Sequence, residues 1–239
     1  MAQDMDKKGT KIRILRAAKK EFASNGFAGA RMDSIAKTAK ANKAMIHYYF
    51  DTKEKLYREV LFFVVGRTQT EQLPLGVPDV DVSPSESLAS SIYFIVSMHY
   101  DCFDPEFHRM MAWDMAEGNH HGRVLIQEVF APAMERLESV IIEGVKSGEF
   151  ETENPIFEVW TIISSIVHYM RSRDLFKGSP MQKKLYPENG KNVLIDYLTN
   201  HVFKSLAPRS VTLPKIPENV KNLLDHELQN LKKNYCEAI

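Results

Sequence analysis

Two cysteines in 239 residues, Cys102 and Cys236, are too few and too far apart for a disulfide framework, so the core must hold the fold. No run reaches the roughly 18 apolar residues of a membrane span. The opening stretch MAQDMDKKGTK has no apolar segment to act as a signal peptide. Together these features point to a reducing cytoplasm. Strand-like alternation, repeats of about 20–50 residues and low-complexity tracts are also missing. So are the G-x-S-x-G, H-E-x-x-H, phosphate-loop and dinucleotide glycine patterns, which argues against an enzyme. Cys102 near His99 is the nearest thing to a dyad, and a lone intracellular Cys more often packs as a small hydrophobe. No cofactor is implied.

Net charge is lacking too, with 31 basic and 31 acidic residues, but the balance hides a polarity. Residues 1–50 hold eleven lysines and arginines against four acids, a net of +7, and the remainder carries −7. A basic head on an acidic body is the footprint of a module that binds a polyanion, although a solvated lysine-rich helix face gives the same count.

Apolar residues recur at helical spacing throughout, and the expected class is all-α. Thr10 is a candidate N-cap for a first helix carrying Ile14, Leu15, Ala18 and Phe22, and Gly26 is its stop. Short helices are expected over about 33–40 and 43–50. Asp51 with Glu54 reads as a capping box for a further helix to about Val65. Three prolines and a glycine then interrupt the pattern at 74–84, which suggests a head over 1–65 and a body over 66–239. In the body, helical patterns run over about 85–103, 105–117, 121–147, 155–177, 189–206 and 217–235.

Two short helices joined by a tight turn, behind a longer packing helix, have the layout of a helix-turn-helix, here over about 32–51. Ile46 and Phe50 supply a buried side, while Asn42, Lys43, His47 and Tyr49 fall away from it. Those outward groups are donors and rings suited to phosphates and base edges. A plain three-helix packing module with surface tyrosines would share the same core.

The stretch 14–61 resembles the DNA-binding domain of the TetR/AcrR family of transcriptional regulators. The likeness rests on Ala17, Ala18, Phe22, Gly26 and Phe27, then Ile35, Ala36 and Ala39, then Tyr48, Tyr49, Phe50, Thr52, Lys53, Glu54 and Leu56. The resemblance implies that Asn42, Lys43 and Ala44 approach bases and phosphates, and that His47, Tyr48 and Tyr49 lie on the DNA side. It implies that Lys53 and the helix amides beside it hold a phosphate. Arg31 stands where the family often has Thr or Ser, so it reaches toward phosphate but caps poorly. Lys40 replaces the family's turn glycine, so either strain at Lys40 or a different turn is expected there.

The resemblance further implies a homodimer on double-stranded DNA, with a helical body that binds a small-molecule effector. The dimer face is expected on 155–177 and 189–206, with Trp160, Ile163, Val167, Leu194, Tyr197 and Leu198, although the first of these helices also reads as one protomer's own core. The stretch 91–122 is rich in Met and aromatics. It offers Tyr93, Met98, Phe103, Met110 and Trp113, with Phe130 and His168 from further on, as candidate lining for an apolar effector. Such stripes also serve as core. Asp114, Glu117, His120 and His121 invite a metal reading, but adjacent histidines on a helix diverge, so a solvated loop without metal is expected. A DNA-binding regulator without any effector is the alternative function.

Overall fold

The structure, a computed structural model, describes residues 2–65, 82–102, 105–118, 120–206 and 215–232, with side chains described from residue 9. Every regular element among them is a helix: α1 Ala2–Gly29, α2 Met32–Ala39, α3 Lys43–Phe50, α4 Lys53–Val64, α5 Pro84–Asp101, α6 Pro105–Ala116, α7 Arg123–Leu125, α8 Ala131–Ser147, α9 Pro155–Ser172, α10 Gln182–Leu185, α11 Gly190–Leu206 and α12 Glu218–Leu231. A π-helical turn, Ile126–Phe130, joins α7 to α8. The all-α class read from periodicity is what the chain adopts. None of these helices is long and apolar enough to cross a membrane.

The chain divides into two compact units. The head unit takes 2–65 together with 105–118 and 120–129, and the body unit takes 82–102, 130–206 and 215–232. The head is therefore discontinuous in sequence. Residues 74–81 of the Pro-rich interruption lie outside the described residues.

In the head, α1 runs on well before Thr10, which is buried inside the helix and accepts a hydrogen bond from Arg13 at 2.9 Å instead of capping it. Gly26 has φ 68°, and the helix kinks there. Ile14, Ala18 and Phe22 of α1, Ile35 of α2, Ile46 of α3, and Leu56, Tyr57 and Val60 of α4 are all buried in the head. Tyr57 meets Phe22 and Phe27 edge-on, with centroids 4.7 and 5.4 Å away. The N-cap of α4 is Thr52, accepting from the Lys55 amide at 3.2 Å, and not Asp51 as expected. Asp51 is occupied by a turn. Its φ of 63° and ψ of −64°, with the Thr52 amide donating to the Phe50 carbonyl at 2.7 Å, form a strained γ-turn.

In the body, Leu88, Ile92 and Val96 of α5 pack with Ile141 of α8, Val159, Ile162 and Ile166 of α9, and Leu194, Leu198 and Val202 of α11. Gly144 in α8 leaves room for the Phe150 ring, which stands edge-on to Phe203. The chain after α9 is pinned back by tyrosines. Tyr169 donates to the Leu185 carbonyl at 2.5 Å and Tyr186 to the Tyr169 carbonyl at 3.0 Å. The amphipathic α12 buries Val220, Leu224 and Leu228, and its Asp225 accepts from Tyr93 of α5. Burial first, and that carboxylate second, push the Tyr93 hydroxyl up to about 12.

Candidate nucleic-acid interface

The turn between α2 and α3 sets the recognition surface. Lys40 closes α2 in the left-handed region, at φ 51° and ψ 44°, while the Ala41 amide donates to the Ala36 carbonyl at 3.0 Å. Asn42 then starts α3 by accepting from the Met45 amide at 2.8 Å. Ile46 and Phe50 face the head core, and Lys43, Ala44, His47 and Tyr48 face outward. Tyr48 is 72% exposed, with Tyr49 half-buried against its edge at 5.2 Å. A ring left so bare on a packed helix has no role in the core of this chain.

The charged groups around α3 are held by specific partners. Lys43 Nζ lies 2.8 and 2.9 Å from the two carboxylate oxygens of Asp33 on α2. His47 Nδ1 sits 2.8 Å from the Asp51 carbonyl, so that nitrogen carries the proton and donates. Lys55 binds the Asp51 carboxylate at 2.7 Å, and this hydrogen bond holds Asp51 below its ordinary 3.8. Arg31, exposed, is the N-cap of α2 and makes no side-chain cap. Glu21 of α1 replaces it, accepting from the Arg31 amide at 3.0 Å and the Ser34 hydroxyl at 2.7 Å. Lys53 is half-buried. Its ammonium donates to the carbonyls of Ala30 at 2.6 Å and Ala28 at 3.4 Å, and lies 4.9 Å from the Phe27 ring centre. It therefore clamps α4 onto the end of α1 and keeps one N–H for any phosphate.

The loop expected to be solvated after α6 is instead an anchor within the head. Asp114, 1% exposed, accepts from the amides of His121 and Gly122 at 3.1 and 2.8 Å. His121 lies against Phe27 with centroids 3.8 Å apart, and Glu117 accepts from the Ala28 amide at 3.3 Å. Lys19, 3% exposed, pairs with Glu106 at 3.1 Å. The three links to α1 cross 87 to 94 positions of sequence, and no local pattern announces them. No group of three His, Cys, Asp or Glu among the described residues is placed to hold a metal.

The candidate effector residues do not gather in one unit. Met110, buried, and Trp113 belong to the head, while Tyr93, buried Met98, Phe130 and exposed His168 belong to the body. Phe103 lies outside the described residues. Of the expected dimer face, Leu194 and Leu198 are filled into the protomer's own core, because on α11 they point toward α5 and α9. Trp160 and Tyr197 stand exposed, with Ile163 and Val167 half-buried.

Comparison with known proteins agrees with this geometry. Residues 14–60 match the model of bacterial regulatory proteins of the tetR family, and residues 84–186 match a tetracyclin repressor-like C-terminal domain. The HTH-type transcriptional repressor NicS of Pseudomonas putida is 30% identical over 86% of this chain and 95% of its own length. The HTH-type transcriptional regulator RutR of Escherichia coli is 29% identical over 77% of this chain and 87% of its own. HlyIIR, a hemolysin II transcriptional regulator of known structure, superposes with TM-score 0.56 at 25% identity, covering 85% of this chain and 99% of its own. The outward donors of α3 thus sit on a DNA-reading head, and the chain belongs to the TetR family of bacterial transcriptional regulators.

Proposed function

We propose that two copies of this chain bind a palindromic operator as a homodimer, repress transcription in the cytoplasm, and are released by a small apolar molecule held in the body. The carrying observation is the bare outer face of α3, where Asn42, Lys43, Ala44, His47 and Tyr48 are exposed on a helix capped and packed from behind. One such helix reads only a few base pairs. Two-fold symmetry doubles the site and spaces its halves by about one helical turn, roughly 34 Å, or a multiple of it.

The surface that supports a second copy lies on α9 and α11. Phe157 and Trp160 are 66% and 59% exposed on α9, and Tyr197 is 63% exposed on α11 with Val193 one turn before it. Large rings side by side on two packed helices need a partner to leave water. An effector in the body, apolar apart from one polar atom, is supported by Ser90 of α5, fully buried with a hydroxyl that finds no hydrogen-bond partner. Repression accords with NicS, which its name describes as a repressor.

Sedimentation and operator binding by wild type and Trp160→Asp test the dimer. The exposed site tolerates the change within a protomer, so the variant is expected to be monomeric and to lose operator affinity. A monomer with undiminished affinity would overturn the proposal. Apolar compounds that raise the melting temperature test the effector. Linkage requires that a compound weakening operator binding itself bind less tightly when operator is present, and a hundredfold effect needs about 2.7 kcal/mol of preference.

A further inference from the structure

Asp33 is out of place on a surface that approaches phosphates. It projects from the first turn of α2 with its side chain 79% exposed, beside a recognition helix that otherwise presents cations and neutral donors. Its carboxylate should repel DNA, and its pairing with Lys43 is too exposed to serve as a useful stability device. The pair has a different property. Lys43 Nζ directs N–H groups at both Asp33 oxygens and has a third left, and each oxygen retains an unused lone pair. The ion pair therefore offers one free donor beside two free acceptor sites, 2.8 and 2.9 Å apart.

In the major groove a G·C pair offers the complement. Guanine O6 and N7 accept, and the neighbouring cytosine N4 donates. An ammonium suits the two guanine acceptors better than the lone O4 of thymine. A carboxylate accepting from cytosine N4 gains the donor it needs once the groove displaces the water around it.

We propose that Asp33 is a specificity-determining residue, acting with Lys43 to read one G·C pair in each half-site: Lys43 on the guanine O6/N7 edge and Asp33 on the cytosine amine. This rests on the reading of α3 as the recognition helix. On any other pair, Asp33 is left against the groove without a donor and the complex is penalised. The acid thus discriminates by exclusion as well as by attraction.

The test uses full-length protein and a duplex selected from a random library by the wild type, with every half-site position then changed singly to the other three pairs. The wild type is expected to prefer G·C at one position by about 5- to 150-fold, the range of one good base contact. Asp33→Ala is expected to flatten that position while raising affinity for scrambled duplex, because a phosphate-repelling charge is gone. Lys43→Ala is expected to flatten the same position. Asp33→Asn is expected to move the preference toward A·T, since an amide matches adenine N6/N7. A merely structural role in the first turn of α2 would lower the melting temperature and leave the preferred base unchanged. The proposal is overturned if Asp33→Ala shifts all sequences alike, or if Asp33 and Lys43 govern different positions. Failure of the wild type to select any duplex would instead strike at the DNA-reading function itself.

Discussion

Replacing Lys40 by glycine should stabilise the protein although it removes a side chain and adds freedom to the unfolded chain. Lys40 is held at φ 51° and ψ 44° by the C-terminal hydrogen bonds of α2, where its Cβ crowds the backbone. That conformation costs an L-residue about 1–2 kcal/mol. Glycine removes the cost but loses roughly 0.5–1 kcal/mol through the entropy of the unfolded state. The net expectation is a gain of about 0.5–1 kcal/mol. For a chain of this size it raises the melting temperature by roughly 1–4 °C. Lys40→Ala is the necessary control, because it deletes the same exposed charge and keeps the strain. Calorimetry on the three proteins at one concentration separates the effects: glycine above wild type, alanine at or below it. If glycine and alanine melt together, the left-handed turn is unstrained and the reasoning fails. Both variants should lose the same small amount of DNA affinity, since each lacks the same exposed cation of the basic head.

Gly144→Ala is expected to destabilise the body by about 2–4 kcal/mol despite a helix-propensity gain of about 1 kcal/mol, because the new Cβ would lie 2.0 Å from the Phe150 ring. Urea unfolding checks this, and the double variant with Phe150→Ala should fall close to Phe150→Ala alone. Lys53→Ala should cost the head about 1–2 kcal/mol, seen as faster hydrogen exchange in α4, because the carbonyls of Ala28 and Ala30 lose their ammonium. Unchanged exchange would show the clamp to be idle. The hydrogen bond from Lys55 lowers the Asp51 pKa from 3.8, so its stabilising effect is complete above that value and is lost as pH falls through the depressed one. In Lys55→Met, a carboxyl NMR titration should find Asp51 back near 3.8, and an unmoved midpoint would refute the assignment.

What the sequence made legible was local. Helix α3 spans Lys43–Phe50, as its spacing predicts, because its cap Asn42 and buried Ile46 and Phe50 all lie within nine positions. That Lys40 is a special position was legible for the same reason: of the two outcomes expected there, the turn keeps the left-handed geometry and places it on a lysine. Thr10 failed as a cap because the polar run before it is also compatible with helix, and Asp51 failed because a γ-turn claimed its backbone. The short α10 lacks any apolar period and was not expected. The non-local links were beyond reach. Glu21 caps α2 from α1, and Glu117 holds the Ala28 amide from 89 positions away. Periodicity gives the face of a helix, not which polar group of another helix will meet it.

The recognition helix is bracketed by strain. Lys40 and Asp51 are the non-glycine residues with positive φ among the described residues, and they stand at the two ends of the α2–α3 turn and α3. Such conformations persist only where the surroundings over-determine them. At the first end the Ala41 amide and the Asn42 cap fix the chain, and at the second the His47 ring and Lys55 hold the two faces of Asp51. The consequence is that α3 cannot slide or rotate to fit an imperfect groove without breaking one of these ends. A helix with relaxed ends could adjust by fractions of an ångström and would bind more sequences with less difference between them. Strain at both ends therefore favours discrimination over affinity. It follows that relieving both turns, with Lys40→Gly and Asp51→Gly together, should narrow the gap between cognate and scrambled duplex even where the protein melts higher. A gap that stays the same would mean that α3 is held by its core residues Ile46 and Phe50 alone.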